Sequence, residues 1–171
     1  MLINSPVGLL TIVSGPRGLE AIRFGRCAPA GVEPGPGPEH PVSIQLNEYF
    51  AGVRRSFDLE IAPAGTPFQQ RVWRELTRIP WGETRSYRDI AVAVGRRGAA
   101  RAVGMANNRN PLPIVIPCHR VIGADGSLTG YAGGLQTKAW LLALEGALPP
   151  TRGYAATSHS RGRSTEFATA P

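Results

Sequence analysis

Residues 110–121 read NPLPIVIPCHRV, where prolines frame an apolar run and a thiol, an imidazole and a guanidinium follow in consecutive positions. The apolar residues 114–116 predict a short buried strand, which Pro117 ends because proline has no N–H to donate to a ladder. A thiol is nucleophilic only as its thiolate, and a neighbouring imidazole and cation favour that form. A lone cysteine is more often a buried structural residue, but this setting predicts that Cys118 is a nucleophile.

Length and composition favour an intracellular protein. With 171 residues, of which 42% are hydrophobic, the chain can form one or two small domains. No apolar run approaches the roughly 20 residues of a membrane-spanning helix, and the start MLIN lacks a basic, signal-like region, so we expect a soluble, cytoplasmic protein with no membrane partner. A bridge between Cys27 and Cys118 would consume the nucleophile, so we expect a reducing compartment. Neither cysteine has a metal-binding spacing, and we expect no metal.

The basic residues are concentrated around the candidate nucleophile. The formal net charge is +7, and 18 of the 19 basic residues are arginine. Residues 66–122 carry ten arginines and three acidic residues, a net charge of +7, whereas residues 1–65 carry −1 and residues 123–171 carry +1. A solvated basic face is one explanation. The concentration beside Cys118 favours a polyanion at the active site.

Residues 1–65 predict a small β-rich scaffold domain. Apolar runs and alternation predict three strands, which are 9–13, 19–24 and 57–61. The segment 27–40 is rich in proline and glycine and predicts a flexible loop. A helix is predicted over 41–51, with its apolar residues at Ile44, Leu46 and Tyr49 and its end at Gly52. None of these residues indicates chemistry.

Residues 66–148 predict a mainly helical domain. Thr66 and Gln69 have the spacing of a capping box, and the helix that they open carries an apolar stripe formed by Phe68, Val72, Leu76 and Ile79. Ser86 and Asp89 predict a second capping box and helix. Residues 149–171 are polar and aperiodic, and they predict a disordered tail.

A glycine turn at 95–98 joins this second helix to another over about 99–107, which is the pattern of a helix-turn-helix. The second helix has alanines where bulky side chains would keep it away from a narrow groove: Ala99, Ala100, Ala102 and Ala106. Arg101 would project from that thin surface. The pattern fits insertion into the minor groove of DNA, although an alanine-rich helix packed against the core would look the same.

Five blocks together resemble the O6-alkylguanine-DNA alkyltransferases, a family of suicidal DNA-repair proteins. The blocks are ARAVG at 100–104, NP at 110–111, PCHRV at 117–121, GYAGG at 130–134 and LEG at 144–146. The resemblance covers residues 66–148 closely and residues 1–65 more loosely. It implies an α/β (α+β) protein, with a ribonuclease H-like N-terminal domain and a helical C-terminal domain that contains the helix-turn-helix.

The implied reaction is a single in-line transfer of the alkyl group from O6-alkylguanine in DNA to the sulfur of Cys118, with O4-alkylthymine left open as a substrate. In the family a histidine reaches the thiol through a water and is oriented by a glutamate, and these match His119 and Glu145. Asn110 would brace the turn that holds the cysteine. The thioether product has no activated carbonyl for water to attack, so each molecule acts once, and no cofactor is needed.

The resemblance also implies residues that hold DNA and an extruded base. Arg101 matches the finger that fills the vacated space, and Tyr87 matches a tyrosine that turns the 3′ phosphate and hydrogen-bonds the base. Other contacts would come from Ala102, from the pocket loop at Tyr131, Ala132 and Gly133, and from the carbonyls of Cys118 and Val121. Many members carry serine where this chain has Ala132, so its N–H is the expected donor to O6. The partner is double-stranded DNA, bound in the nucleoid by a monomer, with cooperativity left open.

Three other functions compete with this interpretation. A non-catalytic alkyltransferase-like protein that binds lesions would typically replace the nucleophile, which this chain keeps. A helix-turn-helix transcription regulator would need a polar array to read the major groove, and the alanine-lined second helix lacks one. A cysteine hydrolase would need an oxyanion hole and turnover, and it would not explain the basic helix-turn-helix.

Overall fold

The computed structural model describes residues 1–26 and 39–148. Most of the predicted loop 27–40, the predicted tail 149–171 and Cys27 therefore lie outside the described residues. No helix in the described part of the chain is long and apolar enough to cross a membrane.

Three antiparallel strands form the N-terminal sheet, in the order β1 (Leu2–Ser5), β2 (Gly8–Gly15) and β3 (Gly18–Phe24). The last two confirm the predicted hairpin. Gly18 has a φ of 112°, and a Cβ there would collide with the carbonyl of Glu60, so the turn requires glycine on both counts. The first strand was not predicted, because four residues are too few to show a clear alternation.

The predicted strand at 57–61 is wrong. The segment makes only an isolated bridge, between Ile61 and Leu19. The backbone of Asp58 is instead bonded to a side chain: its N–H donates to Gln45 Oε1 at 2.8 Å and its carbonyl accepts from Gln45 Nε2 at 2.7 Å. The amide of Gln45 thus replaces a partner strand.

Helix α1 (Pro41–Phe50) follows, close to the predicted bounds. Val42, Leu46 and Tyr49 are buried, at a spacing that puts them on one face. Ile44 was predicted to face the core with Leu46 and Tyr49, but it is 43% exposed. It lies two positions from its nearest buried apolar neighbours and therefore points away from them.

The rest of the described chain is mainly helical: α2 (Pro67–Leu76), α3 (Tyr87–Ala93), α4 (Ala100–Asn108) and α5 (Gly134–Leu144). Both capping boxes are confirmed, and caps of this kind each stabilise a helix by about 1 kcal/mol. Helices α3 and α4 form the predicted helix-turn-helix. Two short parallel strands, β4 (Arg85–Ser86) and β5 (Val121–Ile122), join the start of α3 to the segment after the cysteine. The molecule is of mixed α and β class, as predicted.

Candidate active site

A tight turn leads to Cys118, instead of the predicted strand over 114–116. Pro113 and Ile116 form an isolated bridge, and Ile114 between them has a φ of 78°, which is unusual for a β-branched residue. The three apolar residues are buried as predicted. Because neighbouring prolines cannot donate to a ladder, the run closes on itself instead of pairing with another strand.

Asn110 spans this turn from the inside. Its side-chain amide donates to the carbonyl of Ile116 at 2.8 Å, and its side-chain oxygen accepts from the N–H of Leu112 at 3.0 Å. A left-handed non-glycine residue such as Ile114 costs about 1–3 kcal/mol and persists only where the surroundings hold it. The two hydrogen bonds of Asn110 provide that restraint.

Cys118 begins a short 3₁₀ helix, Cys118–Arg120. The cysteine is a free thiol and is only 5% exposed. Burial raises the pKa of the Cys118 thiol to about 11, although a hydrogen bond from Asn110 and the charge of Lys138 act in the opposite direction. At neutral pH the thiol is therefore protonated in this structure.

The neighbours of Cys118 do not favour its thiolate in the way that the sequence suggested. Burial lowers the pKa of His119, so the imidazole is neutral at neutral pH. The guanidinium of Arg120 is occupied: Nε and Nη2 donate to Glu145 at 2.8 and 2.9 Å, and Nη1 donates to the carbonyl of Ile79 at 2.6 Å. In this structure, therefore, neither neighbour promotes ionisation of the thiol.

His119 and Glu145 form a buried pair, with 2.8 Å between Nε2 and Oε1 and no exposure of either side chain. Burial alone would raise the pKa of Glu145, but hydrogen bonds from His119 and Arg120 outweigh it and lower the pKa to about 2. An ionised carboxylate only accepts hydrogen bonds, so Nε2 of His119 carries the ring proton. Nδ1 is then the basic nitrogen, and it is buried with no hydrogen-bond partner among the described residues.

Two further groups belong to this cluster and were not predicted. The hydroxyl of Tyr49 donates to Glu145 Oε1 at 2.7 Å. Lys138, fully buried, donates from Nζ to the carbonyls of Val121 at 2.6 Å and Thr129 at 2.7 Å. Burial lowers the pKa of Lys138 to about 8. Lys138 is the one lysine in a chain with 18 arginines, and this was the only sequence feature that could have pointed to it.

The predicted pocket loop lies close to His119. The ring centroid of Tyr131 is 6.4 Å from that of His119, in an edge-on arrangement, and the Tyr131 hydroxyl is buried with no partner among the described residues. Phe24 of β3 packs against Tyr131 at 5.7 Å, and it approaches Gly133 so closely that a Cβ there would meet its ring. Ala132 is exposed.

Tyr87 connects the helix-turn-helix to this loop, since its hydroxyl donates to the carbonyl of Thr129 at 3.1 Å. The carbonyls predicted to receive a base already have protein donors. That of Val121 accepts from Lys138, and that of Cys118 accepts from the side-chain amide of Asn107 at 3.3 Å. The carbonyl of Cys118 also accepts from the N–H of Val121 at the end of the 3₁₀ helix, so both of its lone pairs are already used.

Helix α4 presents a narrower alanine surface than was predicted. Arg101 and Ala102 are exposed, but Ala106 is 2% exposed and faces the core, where its carbonyl accepts from the indole of Trp73 at 2.9 Å. Met105, 56% exposed, lies on the outer face instead. Small side chains are therefore exposed in the N-terminal half of the helix and not along its whole length.

In the described ranges, no group of three or more His, Cys, Asp and Glu side chains is placed to hold a metal ion. Glu145 is bonded by His119 and Arg120, and Lys138 by two backbone carbonyls. We therefore assign no metal or cofactor ligands.

Comparisons with known proteins agree on one family. Residues 67–147 match the profile described as "6-O-methylguanine DNA methyltransferase, DNA binding domain", and residues 1–63 match "6-O-methylguanine DNA methyltransferase, ribonuclease-like domain". A methylated-DNA–protein-cysteine methyltransferase of Methanosarcina barkeri is 48% identical over 149 residues, which are 84% of this chain and 94% of that protein. One of Mycobacterium bovis is 49% identical over 152 residues, covering 86% of this chain and 92% of the relative.

A solved structure, the Mycobacterium tuberculosis OGT in complex with DNA, has a TM-score of 0.80 and 50% identity, and the match covers 85% of this chain and 91% of that one. The resemblance and the ribonuclease-like N-terminal fold are thus confirmed. The chain belongs to the 6-O-methylguanine DNA methyltransferase family.

Proposed function

We propose that this protein repairs DNA by moving the alkyl group of O6-alkylguanine onto the sulfur of Cys118, once per molecule. The observation that carries the proposal is a buried free thiol, one residue away from a buried His119–Glu145 pair, in a chain of this family. It is a methylated-DNA–protein-cysteine methyltransferase, and DNA is its partner.

The proposed step is an in-line displacement at a saturated carbon. The bond between Sγ of Cys118 and the alkyl carbon forms while the bond from that carbon to O6 breaks, and guanine leaves as its anion, which takes up a proton from water at N1. The thiol proton passes through a water to Nδ1 of His119, and Glu145 stabilises the imidazolium. With a thiol pKa of about 11, the thiolate at pH 7 costs roughly 5 kcal/mol, so deprotonation coupled to transfer is favoured. The thioether has no route back to a thiol.

The substrate base must be extruded from the duplex, at a cost of a few kcal/mol. We assign Arg101 to the vacated space and Tyr87 to the 3′ phosphate and the base, while Ala102 lets α4 approach the minor groove. Tyr131 would cover the base, with Gly133 permitting the close approach of the loop and the N–H of Ala132 donating to O6. The protein would act as a monomer in the cytoplasm, where it meets chromosomal DNA.

We propose different roles for the two domains. Residues 66–148 would bind DNA and carry out the transfer, and residues 1–65 would serve as the scaffold. Contacts of Phe24 and Tyr49 with the site support the scaffold role.

The test is intact-mass analysis after mixing with a duplex oligonucleotide that contains O6-methylguanine. We expect the mass of one methyl group on each protein molecule, located on Cys118 by peptide mapping. The Cys118→Ala variant should gain no mass and should still bind the duplex. Methylation at another residue, or a wild-type protein that stays unmodified, would refute the proposal.

A further inference from the structure

The N-terminal unit contributes one polar group to the buried His119–Glu145 pair. Tyr49 lies on α1 and is fully buried. Its hydroxyl donates to Glu145 Oε1 at 2.7 Å and lies 3.5 Å from Nε2 of His119. Tyr49 and Glu145 are 96 positions apart in the chain, so only the fold brings them together.

The hydroxyl of Tyr49 can act only as a neutral donor here. Burial raises the pKa of Tyr49 well above its usual value, and the adjacent Glu145 carboxylate raises it further. Glu145 is ionised and can only accept, so the proton of this hydrogen bond stays on the phenol oxygen.

Oε1 of Glu145 is shared by three donors: Tyr49 at 2.7 Å, His119 at 2.8 Å and Arg120 at 2.9 Å. Oε2 receives Nε of Arg120 at 2.8 Å. Arg120 holds the carboxylate along both oxygens, while Tyr49 holds Oε1 from the N-terminal unit. The carboxylate therefore has little freedom to turn away from the imidazole.

The ring of Tyr49 is fixed as firmly as its hydroxyl. Aromatic rings surround it at centroid distances of 5.3 Å (Trp81), 5.4 Å (Phe57) and 5.5 Å (Phe50). A phenol held on all sides is a preorganised donor, which loses little side-chain entropy when it meets the carboxylate.

We infer that Tyr49 is a positioning residue for alkyl transfer: its hydroxyl holds the Glu145 carboxylate against Nε2 of His119 and keeps Nδ1 free to receive the thiol proton. The inference rests on the proposed function. The N-terminal unit is then part of the proton-accepting machinery as well as a scaffold.

Tyr49→Phe tests this role, because it keeps the ring and removes the hydroxyl. Without the hydrogen bond to the charged carboxylate, Glu145 is held less firmly. We therefore expect the single-turnover rate of Cys118 methylation to fall by about 10-fold. The pH profile should also move. Without a competing donor on Oε1, Glu145 attracts the imidazolium more strongly, so the low-pH limb that reports protonation of His119 should shift to higher pH.

Phe50→Leu is the matched control, since Phe50 packs on the same ring and makes no hydrogen bond to Glu145. It should leave the pH profile in place. If Tyr49→Phe has the wild-type rate and profile, or loses rate with no shift of the limb, the inference is overturned. Because wild-type methylation of Cys118 is measured in the same experiment, failure of the proposed function would be seen separately.

Replacement of Tyr49 by 3-fluorotyrosine provides a second test that does not depend on the folding of the phenylalanine variant. Fluorine makes the phenol a stronger donor at nearly the same size. The low-pH limb should then move in the opposite direction, to lower pH, and an unmoved limb would contradict the role of the hydroxyl.

Discussion

At the scale of the residue, Glu145 carries the charge on which the buried cluster depends. Its carboxylate accepts four hydrogen bonds: one from Tyr49, one from His119 and two from Arg120. Its side chain is not exposed to water. A buried charge is tolerated only where it is paired and fully hydrogen-bonded. Removal of its charge would leave the guanidinium of Arg120 buried without a counter-ion.

Glu145→Gln should therefore change the pH dependence of stability. The folded-state pKa of about 2 lies below the ordinary 4.5, so the ionised carboxylate stabilises the fold above pH 4.5, and this stabilisation is lost as pH falls toward 2. The difference corresponds to roughly 3 kcal/mol. We expect urea unfolding to show this loss in the wild type between about pH 5 and pH 2, and not in the variant, which is already less stable at pH 7.

Glu83→Gln is the control for that measurement, because Glu83 pairs with Arg85 at an exposed position. It should keep the wild-type slope of stability against pH. Parallel curves for the wild type and Glu145→Gln would contradict the assignment of a strongly lowered pKa to Glu145.

Some residues of the site could be predicted from the sequence and others could not. Cys118 and His119 could be identified because their chemistry is concentrated in adjacent positions. The ionisation state of the thiol could not, since it depends on burial and on Arg120 being bound elsewhere. Lys138 and Tyr49 were missed because their partners lie on other elements.

At the scale of the element, α4 is the helix that we propose approaches the minor groove. Arg101 and Ala102 lie on that face, next to the turn from α3. Capping boxes, glycine turns and helical spacing are local signals, so the helix-turn-helix could be predicted from sequence. The direction of Ala106 could not, because an alanine fits equally well on either side of a helix.

Arg101→Ala should separate extrusion from chemistry. If the guanidinium fills the space of the extruded base, its loss should slow methyl transfer from duplex DNA by about 10-fold or more while transfer from free O6-methylguanine base stays near the wild-type rate. Rates are measured for both substrates under single-turnover conditions.

Arg88→Ala provides the matched charge control, since Arg88 is exposed on α3 of the same motif. It should weaken binding to the duplex without changing the ratio of the two rates. An equal ratio in Arg101→Ala and Arg88→Ala would argue against a finger at position 101.

The turn at 112–116 shows where local signals fail. Three β-branched and aliphatic residues in a row favour a strand, but a strand also needs a partner. The neighbouring prolines and the side chain of Asn110 supply another solution, in which Ile114 takes a left-handed conformation. Nothing in the apolar run itself indicates that outcome.

At the scale of the whole molecule, the net positive charge is concentrated in the middle third of the chain. Residues 66–122 carry +7 and residues 1–65 carry −1. We therefore expect DNA to be attracted to the segment that contains the helix-turn-helix more than to the N-terminal segment.

Binding to duplex DNA should therefore fall steeply with salt. About six phosphate contacts would lower affinity by about 10³-fold between about 50 and 200 mM salt. Arg88→Ala should remove one phosphate contact and so make the slope of log affinity against log salt shallower by about 1. The affinities are measured by fluorescence anisotropy. Arg17→Ala, in the exposed turn of the hairpin, should leave the slope unchanged. A slope that responds equally to both variants would contradict a one-sided charge distribution.

Residues within a few positions of one another were enough to predict helices α1 to α4, two of them with capping boxes, together with the hairpin, the basic middle of the chain and the adjacent thiol and imidazole. Helix α5 was not predicted. Three properties could not be predicted in this way: the protonated thiol, the pairing of Arg120 with Glu145, and the approach of Tyr49 and Phe24 to the site from the N-terminal unit. Burial and long-range hydrogen bonds set these properties, and both depend on which distant segments the fold brings into contact.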